Sequence, residues 1–120
     1  MRGAAVLRIG GLIMALANPA AAESWLPLDG DRIGPALAAR VVGYTDGTVQ
    51  DFKADGTTLY QTFWSLRHGR WKVEGARYCS QWPPDEDWTC YRVESEERGL
   101  DLRFIDEAGT VTSGRYLDLQ

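Results

Sequence analysis

His68 is the only histidine in the sequence and the first residue to consider for catalysis. A general base of this kind needs an orienting carboxylate and a nucleophile within hydrogen-bond reach. Ser65 and Ser80 are the candidate nucleophiles, but neither stands in the Gly-x-Ser-x-Gly frame of a nucleophile elbow. His68 lies in the segment Arg67–Arg70, which we predict to be a turn between two strands. We therefore favour a solvated turn histidine over a His68-dependent hydrolase and expect no enzymatic activity.

Cys79 and Cys90 are the only two cysteines, and their spacing argues for a structural role. A redox pair favours a Cys-x-x-Cys spacing, and a zinc site needs four ligands at closer intervals. The acidic run 85–87 is a candidate calcium loop, but such loops need a glycine for their sharp turn, where this one has Pro83-Pro84. We expect a disulfide, no metal site and no cofactor.

Residues 78–91 predict an antiparallel hairpin that the disulfide would close. Counting inward from both ends brings Cys79 opposite Cys90, and facing positions on neighbouring strands are close enough for a bridge. Pro83-Pro84 ends the strand pairing, because proline lacks a backbone donor. The bridge closes a loop of about a dozen residues, which stabilises the fold by about 3 kcal/mol in the chain-entropy estimate.

Aromatic residues near this hairpin are the candidate binding residues. Trp82 and Trp88 flank the prolines and the acidic tip, and exposed rings in such places suit contact with a protein or a sugar. The alternative is that both indoles shield the disulfide and stabilise the base of the hairpin. The candidate binding residues are Trp64, Tyr78, Trp82, Trp88 and Tyr91.

The N-terminus has the pattern of a secretory signal peptide. Residues 1–8 are positively charged, residues 9–17 are apolar, and Ala20-Ala21-Ala22 forms a small-residue cleavage site. The apolar run is too short to span a bilayer. We predict cleavage after Ala22, a signal peptide at residues 1–22, and a single periplasmic domain at residues 23–120.

The charge of the mature chain limits its partners. Cleavage removes Arg2 and Arg8 from 13 basic residues, so 11 remain against 17 acidic residues and the net charge is near −6. An acidic surface argues against binding nucleic acid or an anionic membrane. No membrane span is predicted in the mature chain, and a disulfide suits the oxidising environment outside the cytoplasm.

Residues 28–40 predict the only helix of the mature chain. Asp29 or Asp31 can cap its start, and Ile33 and Leu37 lie on one face. We expect a short helix that covers one end or face of a sheet.

From Val41 onward the sequence alternates in the manner of strands. Asp46-Gly47 and Asp55-Gly56 predict two tight hairpins, because glycine adopts positive φ without steric cost. We predict a strand at residues 57–64 and further strands up to Leu117. The pattern predicts an all-β fold, a seven- to eight-stranded antiparallel meander with one short N-terminal helix. We favour closure into a small barrel, which removes exposed edges, over an open curved sheet.

Five segments of the chain resemble a group of small, uncharacterised periplasmic proteins of alphaproteobacteria. The shared positions are Tyr44 with Asp46-Gly47, Phe52 to Tyr60, Gly69 to Val73, Tyr78 to Pro84, and Cys90 to Val93. The resemblance covers about residues 28–117 and implies export, the disulfide and the β fold, but no particular activity. Gly69-Arg70-Trp71 is also similar to the Gly-x-Trp motif of lipocalins, which lies there on the first strand and here follows three predicted strands.

Three functional hypotheses follow. The first is a non-enzymatic periplasmic module that binds a protein or a small apolar ligand through the aromatic surface near the Cys79–Cys90 hairpin. The second is a lipocalin-like carrier with an interior pocket lined by residues such as Phe63, Trp71 and Phe104. The third is the His68-dependent hydrolase. The oligomeric state is left open by the sequence.

Overall fold

The computed structural model describes residues 24–118, so the predicted signal peptide lies outside the described residues. This part of the chain forms nine strands and one helix. Their bounds are β1 Trp25–Pro27, α1 Gly30–Leu37, β2 Arg40–Tyr44, β3 Val49–Phe52, β4 Thr57–Gln61, β5 Leu66–Glu74, β6 Arg77–Gln81, β7 Trp88–Glu96, β8 Asp101–Ile105 and β9 Val111–Tyr116.

Strands β2 to β9 close into an antiparallel barrel. Each strand pairs with the next along the chain, and β9 then pairs with β2 through Val42 opposite Tyr116. The predicted all-β fold is therefore confirmed, and the closed form is the one observed. An eight-stranded barrel is just wide enough for side chains to fill it or for one small ligand to enter.

A ninth strand, β1, lies outside this ring. Trp25 pairs with Glu96 and Pro27 with Glu94, so β1 lies along the second half of β7, beyond the end of β6. The sequence analysis predicted no strand before Val41. The pairing joins segments about seventy residues apart in the chain, and nothing in three residues signals such a partner.

The two predicted Asp-Gly hairpins are confirmed. Gly47 and Gly56 both have a φ of 92°. Oδ1 of Asp46 accepts from the backbone N of Thr48 at 3.0 Å, and Oδ1 of Asp55 accepts from the corresponding N of Thr57 at 2.9 Å. These side-chain bonds fix the β2–β3 and β3–β4 turns.

The predicted turn at Arg67–Arg70 is wrong. These residues lie within β5, where His68 pairs with Leu59 of β4. Gly69 instead allows close packing on a strand, because an ideal Cβ there would lie 2.5 Å from Cε3 of Trp82.

The chain turns earlier, at residues 62–65, so the predicted strand at 57–64 ends at Gln61. Oγ1 of Thr62 accepts from the backbone N of Trp64 at 3.1 Å and of Ser65 at 2.9 Å. A threonine hydroxyl therefore replaces the strand pairing that the β-rich composition predicted.

Helix α1 closes one end of the barrel. Asp29 caps it, accepting from the backbone N of Arg32 at 3.2 Å. Ile33 and Leu37 are fully buried, and they belong to the same core as the side chains inside the barrel. Tyr116 of β9 donates to the carbonyl oxygen of Ala36 at 2.7 Å, which ties the last strand to the helix. The predicted packing role of the helix is confirmed.

The core contains a cluster of aromatic rings around Phe52. Phe52 is fully buried there, with ring centroids 5.7 Å from Trp71, 5.6 Å from Tyr78 and 6.5 Å from Phe104. Edge-to-face contacts between such rings add to the stability gained from burial.

The predicted hairpin register is confirmed, and Cys79 and Cys90 are joined by a disulfide. Opposed residues of paired strands point to the same face, so both cysteines point outward while Tyr78 and Tyr91 point into the barrel. The disulfide therefore links β6 to β7 covalently on the outer face of the barrel.

Candidate ligand-binding pocket

A cavity of about 370 Å³ lies in the barrel at the end opposite α1. Its position follows from the strand ends: Tyr44 ends β2, Arg67 is near the start of β5, and Trp82 directly follows β6. Six aromatic side chains line it, namely Tyr44, Tyr60, Tyr78, Trp82, Tyr91 and Phe104. The barrel is therefore filled at one end and open to a small ligand at the other.

The aromatic rings form a continuous wall. Tyr44 stacks on Tyr60 with centroids 6.1 Å apart and planes 14° apart. Trp82 meets Tyr60 edge to face at 5.7 Å, and Phe104 meets Tyr44 in the same way at 5.9 Å. Such a wall offers both ring faces and ring edges to a planar apolar ligand.

Gln50, which the sequence analysis did not single out, organises the polar part of the pocket. Its Oε1 accepts from the hydroxyl of Tyr44 at 2.6 Å. Its Nε2 donates to Thr58 at 3.0 Å and to the hydroxyl of Tyr78 at 3.1 Å. Gln50 is only 4% exposed, so these three bonds satisfy a buried amide and fix two tyrosine rings.

A second polar chain holds Tyr60. Oγ1 of Thr48 lies 2.7 Å from Oδ1 of Asp46 and 3.1 Å from the hydroxyl of Tyr60. A carboxylate only accepts, so the single proton of Thr48 is donated to Asp46. The hydroxyl of Tyr60 must then donate to Thr48, and its proton is not available to a ligand.

Burial disfavours ionisation of the pocket tyrosines. It raises the pKa of Tyr78 to about 12, although hydrogen bonds with Ser80 and Gln50 act in the opposite direction. Burial also raises the pKa of Tyr44 well above its usual value and raises the pKa of Tyr91. Ionisation of these hydroxyls is therefore moved further into the alkaline range.

Arg67 supplies the only formal charge among the lining residues. Its guanidinium carbon lies 5.4 Å from the centroid of Trp82, within the range of a cation–π contact. None of the ion pairs formed within residues 24–118 includes Arg67. The mouth of the pocket therefore carries one positive charge without a carboxylate partner in that range.

The structure brings together three of the five aromatic residues predicted to bind. Tyr78, Trp82 and Tyr91 line the pocket. Trp88 lies on the outer face of the barrel, where Nζ of Lys72 is 4.3 Å from its ring centroid. Trp64 lies on the 62–65 turn and is 87% exposed.

Sequence reasoning missed Tyr44, Gln50, Tyr60 and Arg67, which belong to the pocket. Their positions along the chain gave one indication. Tyr44, Gln50 and Tyr60 lie on the short strands that flank the Asp-Gly turns. Strand alternation predicts that such residues share one face, but it does not identify the interior face.

The residues predicted to line an interior cavity are only partly right. Phe104 lines the pocket, whereas Trp71 is buried in the core beside Phe52. Phe63 is wrong: it lies on the 62–65 turn and is 86% exposed, stacked edge to face on Trp64 at 4.6 Å. It lies outside because β4 ends before it.

His68 does not join the pocket. It is exposed and alternates with the inward-facing Arg67 and Gly69, so its ring points to the outside of the barrel. Ser80 lines the pocket and therefore faces inward. The wall of the barrel separates the candidate base from this candidate nucleophile.

One group of potential metal ligands occurs within residues 24–118. Atoms of Glu74, Cys79 and Cys90 lie within 4.8 Å of one another. The two sulfur atoms are bonded to each other, so neither is a thiolate that could bind a metal. The group is the disulfide with a neighbouring carboxylate.

Comparisons with protein-family models, curated proteins and solved structures found no match for the chain. Within residues 24–118, no helix has the length and apolar character needed to cross a membrane. A barrel fold alone serves many functions, so the function has to be argued from the pocket.

Proposed function

We propose that this protein is an exported, non-enzymatic binding protein that holds a small, largely apolar ligand in the open end of its barrel. The observation that carries the proposal is the cavity of about 370 Å³ with its six aromatic side chains. Ligand sites in proteins typically measure about 300–1,000 Å³ and are mostly apolar with a few placed polar groups. The cavity meets both conditions.

Binding fits the pocket better than chemistry does. The hydroxyl of Tyr44 and the amide of Gln50 are committed to each other, and Tyr60 is committed to Thr48. A catalytic site needs a base poised beside a nucleophile. His68, the one histidine, points away from the pocket, so the lining groups orient rings instead of activating a nucleophile.

The disulfide supports a preformed site. Cys79 and Cys90 link β6 to β7, the two strands that carry Tyr78 and Tyr91. A wall that is already ordered before the ligand arrives loses less conformational entropy on binding. Tyr78 and Tyr91 stack with centroids 5.7 Å apart directly behind the bridge.

Export to the periplasm is part of the proposal. The disulfide supports it, because such bonds persist in oxidising compartments. The signal peptide predicted at residues 1–22 and the resemblance to periplasmic proteins of alphaproteobacteria support the same location. Detection of a mature chain that begins at Glu23 would test the cleavage after Ala22.

The binding proposal is tested with a neutral fluorescent probe, N-phenylnaphthylamine, whose emission rises in an apolar site. Thr112 lines the mouth of the pocket and is exposed, so Thr112→Trp should block entry without disturbing the core. Val111 is its neighbour on β9, is 47% exposed and points to the other face, so Val111→Trp is the matched control. We expect saturable binding to the wild type and to Val111→Trp, and loss of binding in Thr112→Trp. Absent binding, or equal binding to both variants, would contradict the proposal.

A second candidate is contact with another copy of this chain through the tip formed by Phe63 and Trp64. These rings are 86% and 87% exposed on a turn that Thr62 holds in shape. An exposed apolar tip of two adjacent rings can pack against the same tip of a second copy across a two-fold axis.

Sedimentation of the wild type and of a Phe63→Ser, Trp64→Ser double variant tests this candidate. A dimer that the double variant abolishes would support it. A wild type that stays monomeric over the accessible concentration range would reject it. Probe binding in the pocket is measured separately and does not depend on the result.

A further inference from the structure

Some polar groups of the pocket already form hydrogen bonds within the protein, and others do not. The acceptor oxygen of Gln50 and the hydroxyl proton of Tyr44 satisfy each other at 2.6 Å. The hydroxyl of Tyr78 already accepts from Gln50 at 3.1 Å. The proton of Tyr60 is donated to Thr48, as shown above. The central polar groups therefore offer a ligand little that is new.

Two groups of the pocket that make no hydrogen bond within residues 24–118 are donors. No hydrogen bond among residues 24–118 involves the guanidinium of Arg67 or the hydroxyl of Tyr91, and both groups line the pocket. Arginine carries five N–H donors and no acceptor. A tyrosine hydroxyl is protonated at neutral pH, so that of Tyr91 can also donate.

No carboxylate lines the pocket in the described part of the chain. Asp46 and Asp106 lie in turns at this end of the barrel, but each accepts from backbone N–H groups of its own turn. These bonds are local and leave Arg67 without an ion-pair partner within residues 24–118. A positive charge beside an aromatic wall, with surplus donors, matches the chemistry of an organic anion.

We infer that the ligand is a planar aromatic acid, with its ring against Tyr60 and Trp82 and its carboxylate at Arg67. This inference rests on the proposed function and names its ligand class. Tyr60 and Arg67 are paired residues of β4 and β5, so they share a face of the sheet. Arg67 also lies over Trp82, so a ring inserted beside that indole brings an attached carboxylate to the guanidinium. The volume of the cavity corresponds to that of about a dozen water molecules, which suits a fused two-ring acid.

Naphthoate and naphthamide provide the test, because they have nearly the same shape and differ in charge. Each is titrated against protein loaded with N-phenylnaphthylamine, and displacement of the probe gives its affinity. We expect naphthoate to bind about tenfold more tightly than naphthamide to the wild type. Arg67→Gln should remove this preference by weakening naphthoate alone, and Arg67→Lys should restore part of it.

Arg70→Gln is the matched control. Arg70 is an exposed arginine on the same strand, lies on the outer face and does not line the pocket. The same net charge is lost in both variants, so a nonspecific electrostatic effect would appear in both. A loss confined to Arg67→Gln assigns the effect to the pocket.

The outcomes separate the two proposals. Equal affinities for naphthoate and naphthamide, or a preference for naphthoate that remains in Arg67→Gln, would contradict the inference that the ligand is an anion bound by Arg67. The proposed binding function would still stand in that case, provided that the neutral probe binds. Failure of the neutral probe to bind the wild type overturns the binding function, and the ligand class falls with it. Since Arg67 is exposed, its variants should unfold with the same denaturant midpoint as the wild type, which excludes misfolding.

Discussion

The indole of Trp82 occupies the space that a side chain at residue 69 would fill. An ideal Cβ on Gly69 would lie 2.5 Å from Cε3 of Trp82 and 2.7 Å from the carbonyl oxygen of Gln81. Gly69 therefore lets one wall of the pocket pack directly on the backbone of β5. Gly69 thus has a packing role, which the prediction of a turn at Arg67–Arg70 did not anticipate.

Gly69→Ala should push Trp82 away from the pocket. We expect weaker probe binding and a loss of about 1–3 kcal/mol in the free energy of unfolding, because overpacking forces neighbours to move. Gly34→Ala is the control, since a Cβ there meets nothing within 4 Å. Alanine is favoured over glycine in a helix, so the control should be neutral or slightly stabilising. Unchanged binding in Gly69→Ala would show that Trp82 does not shape the site.

Replacing both cysteines should destabilise the barrel without changing its fold. The bridge joins residues eleven apart, and closing such a loop is worth about 3 kcal/mol in the chain-entropy estimate. The Cys79→Ser, Cys90→Ser variant should therefore unfold at lower urea concentration. Reduction of the wild type should reproduce the shift, and reductant should have no effect on the double variant. A midpoint that is the same in all samples would contradict the stabilising role.

Stability should fall at alkaline pH because of Tyr78. Its pKa is raised from 10.0 to about 12 by burial, so folding favours the protonated hydroxyl. The resulting stability is fully present below pH 10, the unfolded value, and is lost as the pH rises toward 12. Urea midpoints across this window should decline for the wild type.

Tyr78→Phe should flatten part of that decline, because phenylalanine does not titrate. Tyr44, whose pKa is also raised, still contributes in the variant. An identical slope in the wild type and in Tyr78→Phe would show that Tyr78 is not the titrating group. Absorbance of tyrosinate, followed in the same samples, reports the ionisation directly.

Gln50→Leu should destabilise the protein and loosen the pocket. The substitution leaves the hydroxyl of Tyr44 without its acceptor and removes the donor to Tyr78. Buried groups left without partners cost about 1–3 kcal/mol each, partly offset by the added apolar side chain. Gln61→Leu is the control, because Gln61 is exposed at the end of β4. Equal midpoints for the two variants would contradict the buried role of Gln50.

The local parts of the structure were predictable from the sequence. The turns at Asp46-Gly47 and Asp55-Gly56, the cap at Asp29 and the register of the Cys79–Cys90 hairpin each depend on residues only a few positions apart. Glycine's access to positive φ and the short reach of aspartate side chains operate at that range. These features therefore appear in the residue pattern itself.

Turn position was less predictable where two signals competed. The β-rich run to Trp64 predicted a continuing strand and the segment Arg67–Arg70 predicted a turn, but the hydroxyl of Thr62 ended the strand first. This exposes Phe63 and Trp64 and returns His68 to a strand facing outward. Side-chain bonds to the backbone compete with strand pairing, and composition does not show which will prevail.

Only the tertiary structure decided that there is a pocket. Tyr44, Gln50 and Tyr60 belong to β2, β3 and β4, and they meet Tyr78 and Tyr91 because β9 pairs with β2 and closes the ring. The sequence by itself determined the strands, most of their turns and the bridge, since those depend on neighbours along the chain. Closure of the barrel and the unfilled space at one end depend on the tilt of all eight strands and on the packing of all interior side chains. A local sequence pattern does not determine these properties of the whole barrel.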